Sequence, residues 1–199
     1  MPVKTARQQQ ILEVLATELE TRPGARISTA SLAAALGVSE AALYRHFASK
    51  AKMFDALIDF AEESVFGLAN RILEETPDAV ARCGRICGVV LRFAEKNPGI
   101  TRVLMGDILV GEHERLRTRV AQFFDRLETQ LRQVLRDALL VAGAQPDRAM
   151  VNAAAGLMIA CVTGRLAQFV RSAYRQSPSL QWEEQWQMLA QGIFVVRGA

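Results

Sequence analysis

The chain has 199 residues, half of them hydrophobic, with 24 Lys or Arg against 21 Asp or Glu and three cysteines. Such a composition supplies one sizeable core, or a small head on a larger body, and argues against a disordered chain. An odd cysteine count without paired spacing argues against a disulfide framework and points to a reducing cytoplasm.

Charge is placed unevenly. Residues 1–52 hold seven Lys or Arg against four Glu, while the remainder balances, so the net excess of +3 sits at the N-terminal end. A basic end on a neutral body is the electrostatic footprint that phosphate requires.

Helical periodicity recurs along the whole chain without strand alternation or hairpin chemistry, so the fold class is all-α. Pro23-Gly24, Gly37, Pro77, Asn97-Pro98-Gly99, the Gly143 to Pro146 stretch and Pro178 cut it into about nine helices. The first is expected from Thr5 to Glu20, with Ile11, Val14, Leu15 and Leu19 on one face. Two short helices follow, near Thr29 to Leu36 and Ser39 to Phe47. A long helix then opens at Ser49, whose hydroxyl suits an N-cap.

After Pro77 a helix runs to about Lys96, and a short one starts at Pro98, where proline fits a first turn. Leu116, Val120, Phe123, Leu127, Leu131, Val134 and Ala138 mark a long amphipathic helix. The segment from Asp147 to Arg171 spaces Gly156, Ala160 and Gly164 four apart, a stripe that lets another helix approach closely, within the chain or from a second copy. Its longest wholly apolar run, Ala153 to Val162, falls short of the roughly 18 residues of a membrane span, so a buried helix is expected and no membrane. The last helix runs from about Trp182 to Val196.

The informative stretch is Ile27 to Ile58. Ser28 caps one short helix, Gly37 ends it in a left-handed turn, and Ser39 caps the next. With Leu32, Ala33, Leu36, Val38, Leu43 and Phe47 turned inward, Glu40, Ala41, Tyr44 and Arg45 face out from a helix that fits a major groove. Arg45 suits guanine, Glu40 suits the cytosine amine and Ala41 the thymine methyl. Thr29, Ser39, Tyr44, His46 and Lys50 suit phosphate and backbone positioning. The same pair of helices also occurs as a plain packing unit.

Cys83 and Cys87 lie four apart and the two histidines, His46 and His113, are remote, so these thiols read as small buried apolar residues and no metal or cofactor is expected. The cluster Glu112, His113, Glu114 and Arg115 reads as a dipole-complementing helix start. No phosphate loop, nucleophile elbow or zinc-protease spacing is present, and no enzyme is expected.

The stretch "GVSEAALYRHFASKAKMFDAL", with Gly37, Tyr44, Phe47 and Lys50, resembles the recognition region of the TetR family of bacterial regulators. The resemblance implies a helix-turn-helix head over residues 1–52 and a helical regulatory and dimerisation body over 53–199, a homodimer, and double-stranded DNA with palindromic sites as partner. It implies a dimer interface made by the last two helices, where Gly156, Ala160 and Gly164 lie. The stretches "EKNPGITRVLMGDIL", "LETQLRQVLRDALL" and "RLAQFVRSAYR" resemble the nucleoid-occlusion factors within that family.

That closer resemblance implies a nucleoid-associated protein whose body holds the C-terminal tail of the tubulin-like division protein FtsZ. The tail would lie in a groove lined by Phe60, Phe93, Lys96 and Asn97, although Phe60 and Phe93 also suit a core. The alternative is a TetR-type repressor released from its operator by a small apolar effector. A third is an interaction dimer that no longer reads sequence.

Overall fold

The computed structural model describes residues 5–22 and 27–194. Among them the structure is helical, without strands. The helices are α1 (Ala6–Thr21), α2 (Thr29–Ala35), α3 (Glu40–Tyr44), α4 (Lys50–Glu75), α5 (Ala79–Lys96), α6 (Pro98–Met105), α7 (Glu114–Val141), α8 (Arg148–Arg171) and α9 (Trp182–Phe194), with a 3₁₀ turn at Asp107–Leu109. The Pro23-Gly24 breaker and the expected end at Val196 lie outside the described residues.

Two compact units form, one from Met1–Glu63 with Lys96–Ala121, the other from Ser64–Glu95 with Gln122–Ala199.

In the first unit α1 starts with a capping box, Thr5 and Gln8 exchanging side-chain and backbone hydrogen bonds, and it buries Ile11, Leu12, Leu15 and Leu19. Each such side chain stabilises the fold by about 1.5–3 kcal/mol. α6 lies against α1 at a close approach: a methyl group added at Gly99 would stand 2.1 Å from the Ala16 carbonyl oxygen. Arg102, only 2% exposed, joins the same two helices. Its Nη1 donates to the carbonyls of Leu19 (2.8 Å) and Arg22 (3.0 Å), and its Nη2 pairs with Asp107 at 2.9 Å. The guanidinium thereby satisfies carbonyls at the end of α1 that have no partner within the helix.

The second unit buries Cys83, Ile86, Cys87, Val90 and Leu91 of α5, Phe123, Leu127 and Leu131 of α7, and Met158, Val162 and Leu166 of α8. Trp182 and Trp186 of α9 complete it: Trp182 Nε1 donates to the Gly84 carbonyl at 2.9 Å, and the Trp186 indole lies where a side chain on residue 84 would stand. Burial, aided by the charge of Asp78, pushes the Cys83 thiol up to about 12, and burial likewise raises Cys87 and Cys161.

The link between α8 and α9 contains Ala173, Tyr174 and Gln181 at positive φ. It is held by hydroxyls of Ser177 and Ser179 donating to Glu95, and by Arg165 donating to the Pro178 and Leu180 carbonyls.

Candidate nucleic-acid interface

The head is built from local caps. Ser28 Oγ accepts from Ser31 N at 3.0 Å, and Ser39 Oγ accepts from Ala42 N at 3.3 Å. Gly37, at φ +65°, makes the turn between α2 and α3 in a conformation that L side chains rarely adopt. Leu32, Ala33, Leu43 and Phe47 are buried beneath, whereas Ser39, Glu40, Ala41, Tyr44 and Arg45 are exposed. α3 is shorter than the expected Ser39 to Phe47. It ends at Tyr44 because the His46 amide turns back to the Leu43 carbonyl at 2.9 Å, closing a tighter turn that carries Arg45 and His46. Gln8 of α1 fastens that turn by donating to the His46 carbonyl at 3.1 Å.

Two of the expected contacts are brought together. Thr29 Oγ1 donates to Glu40 Oε2 at 2.5 Å, joining the first residues of α2 and α3 and fixing one oxygen of the carboxylate while the residue stays at the surface. Lys50 begins α4, with Ser49 accepting from the Lys52 amide at 3.2 Å as its cap. The Lys50 ammonium is 2.5 Å from Glu112 Oε1 and 5.6 Å from the centre of the Phe54 ring. The cluster at Glu112 to Arg115 is therefore more than a helix start. Glu114 occupies the first turn of α7, but Glu112 holds Lys50 and Arg115 pairs with Asp55 at 2.5 Å.

An open cleft of about 1120 Å³ lies within the first unit, lined by residues that include Gln8, Leu12, His46, Lys52, Asp59, Phe60, Asn97 and Arg119. Phe60 is 43% exposed there, unusual for a phenylalanine. Arg119 pairs with Asp59 at 2.8 Å and Glu62 at 2.9 Å. Burial works against its charge, yet these two carboxylates outweigh it and raise the guanidinium pKa above its ordinary value. Of the other residues expected in a groove, Phe93 is buried on α5 and Lys96 is exposed at the C-terminal end of that helix.

On α8, Ala160 and Gly164 are exposed and Gly156 is partly so. A side-chain methyl built at either glycine would meet nothing within 4 Å. Leu157, Met150 and, on α9, Met188 are exposed as well. α8 is long and apolar enough to cross a membrane, with a mean hydropathy of 1.5 over its most apolar window, yet only 28% of that window is buried. The buried helix expected here is thus largely uncovered within one chain, since its apolar residues run round the whole circumference.

The signal for Lys50–Glu112, Arg115–Asp55 and Arg102–Asp107 was absent from motif and periodicity. The first two pairs are 62 and 60 residues apart in sequence, and nothing local announces them.

Residues 11–57 match the bacterial regulatory proteins, tetR family, and residues 77–193 match the SlmA-like group described as tetracyclin repressor-like, C-terminal domain. The nucleoid occlusion factor SlmA of Shewanella woodyi is 51% identical over 192 residues, covering 96% of each chain, and that of Marinomonas sp. is 52% identical over 194 residues, covering 98% of each. Among solved structures, the TetR family transcriptional regulator PfmR from Thermus thermophilus superimposes with a TM-score of 0.74 over 90% of this chain and 96% of that one, at 23% identity, which speaks for the fold.

A capped helix-turn-helix on a helical body, with these matches, defines a DNA-binding regulator of the TetR type. Within that class, the chain belongs to the family of SlmA nucleoid occlusion factors.

Proposed function

We propose that the protein binds palindromic chromosomal sites as a homodimer and, so bound, holds the C-terminal tail of FtsZ and inhibits division-ring assembly over the nucleoid. The observation that carries this reading is that about half of all residues match SlmA proteins over nearly the whole chain, body as well as head. TetR-type bodies would not retain such identity if only the head were shared in function.

The geometry supports the parts. The exposed edge of Glu40, Ala41 and Arg45 offers base contacts, and Thr29, Ser39, Tyr44, His46 and Lys50 flank it for phosphate. Phe60 and Asn97 line an open cleft that suits a short peptide, which needs an apolar anchor and a polar clamp. Lys96, exposed at the end of α5, offers the tail a charged clamp. The uncovered face of α8, with Gly156, Ala160 and Gly164, suits a second copy of the chain, where small residues allow close helix packing. Such a protein resides in the cytoplasm on the nucleoid and needs no cofactor.

The test is fluorescence polarisation of a labelled FtsZ C-terminal peptide, with and without a duplex that the protein itself has selected from random sequence. Saturable binding that Phe60→Ala and Lys96→Glu weaken at least about tenfold, a loss of roughly 1.4 kcal/mol, with DNA binding intact, is expected. Tight specific DNA binding without peptide binding would instead favour the effector-released repressor.

A further inference from the structure

We propose that Glu112, which lies outside the helix-turn-helix, is a positioning residue for DNA binding that competes with backbone phosphate for Lys50. The inference rests on the reading of Lys50 as a phosphate contact and deepens it.

Three observations carry it. First, the Glu112 carboxylate is 2.5 Å from the Lys50 ammonium, on the residue that opens α4 directly behind the reading turn. Second, the carboxylate is placed by a defined connection. Gly106 and Gly111 adopt φ of +79° and +83°, and the Glu112 amide donates to the Leu109 carbonyl at 3.1 Å. Third, both side chains are largely withdrawn from water, 24% and 20% exposed, so salt screens this pair less than a fully exposed one.

A carboxylate at that distance cancels the charge that Lys50 would offer to DNA. An arriving phosphate must therefore replace Glu112, whose freed carboxylate regains water or a cation. The cost is the same for every DNA sequence, because a phosphate contact carries no base information. Replacement also offsets part of the cation release that accompanies neutralising a phosphate. Glu112 thus lowers affinity and flattens salt dependence while leaving base preference untouched. The neighbouring cations Arg115 and Lys52 pair with a different carboxylate, Asp55, so removing the Glu112 charge frees Lys50 alone.

The experiment measures binding of the full-length protein to its self-selected duplex and to a scrambled duplex between about 50 and 200 mM salt, the range over which phosphate contacts dominate. Glu112→Gln should tighten both by the same factor, up to about fivefold as befits a partly exposed ion pair, and steepen the salt slope by up to about 0.9. Glu112→Asp should restore wild-type behaviour. In a Lys50→Gln background the Glu112→Gln change should have no effect on either duplex.

Unchanged affinity and slope in a Glu112→Gln protein that melts like wild type would overturn the proposal, as would an effect that persists without Lys50. Glu112→Ser serves the same comparison if the glutamine variant does not fold. Absence of DNA binding by the wild-type protein would sink the reading of the head itself, an outcome visible before any variant is made.

Discussion

Tyr44 and Arg45 are adjacent, both exposed, and expected to fail in different ways. The phenol of Tyr44 ends α3 and suits a phosphate, whereas Arg45, in the turn that follows, carries a planar fork that matches guanine. Tyr44→Ala should weaken binding to all duplexes alike, whereas Arg45→Ala should cost about 1–3 kcal/mol on the selected site and relax preference at one base position. Binding measured across a panel of single-base variants of that site checks this, and equal profiles for the two proteins would refute the division of roles. The adjoining Thr29–Glu40 bond adds that base and phosphate contacts are not independent here, since the threonine hydroxyl aims the carboxylate.

At the scale of elements, the joint between α1 and α6 is the place where a single atom matters most. Gly99→Ala should lower stability by about 1–3 kcal/mol through overpacking, read as a fall in melting temperature, because its methyl would meet the backbone of Ala16, which cannot rotate away. Gly156→Ala, with open space around it inside α8, should instead raise the stability of a single chain by about 0.5–1 kcal/mol.

The same comparison explains what the sequence makes legible. Helix limits were readable where they depend on local chemistry, as at Ser28, Ser39, Asp147 and Pro98, each of which caps or starts a helix where expected. The end of α3 was not, since Arg45 favours helix and the turn that follows is fastened by Gln8 from a helix 38 residues away in sequence. Outward residues of the head followed from burial of Leu43 and Phe47, whereas Glu112 as the partner of Lys50 depends on a distant connection bent at two glycines.

For the molecule as a whole, the uncovered face of α8 makes the single chain an incomplete object. An apolar helix left 28% buried over its most apolar window exposes more than a stable monomer usually does, and a palindromic DNA site requires two heads in fixed relation. Gly164→Leu should therefore weaken dimerisation in analytical ultracentrifugation and, with it, cooperative binding to a full palindrome, while half-site binding persists. Loss of half-site binding as well would point to misfolding instead.

The three cysteines all lie in one of the two compact units, and the other has none. Because Cys83 and Cys87 are fully enclosed and held protonated, a thiol reagent can reach them only when that unit opens. The chain thus carries a built-in clock for one half of itself, whose ticking reports how often the body breathes and is silent about the head.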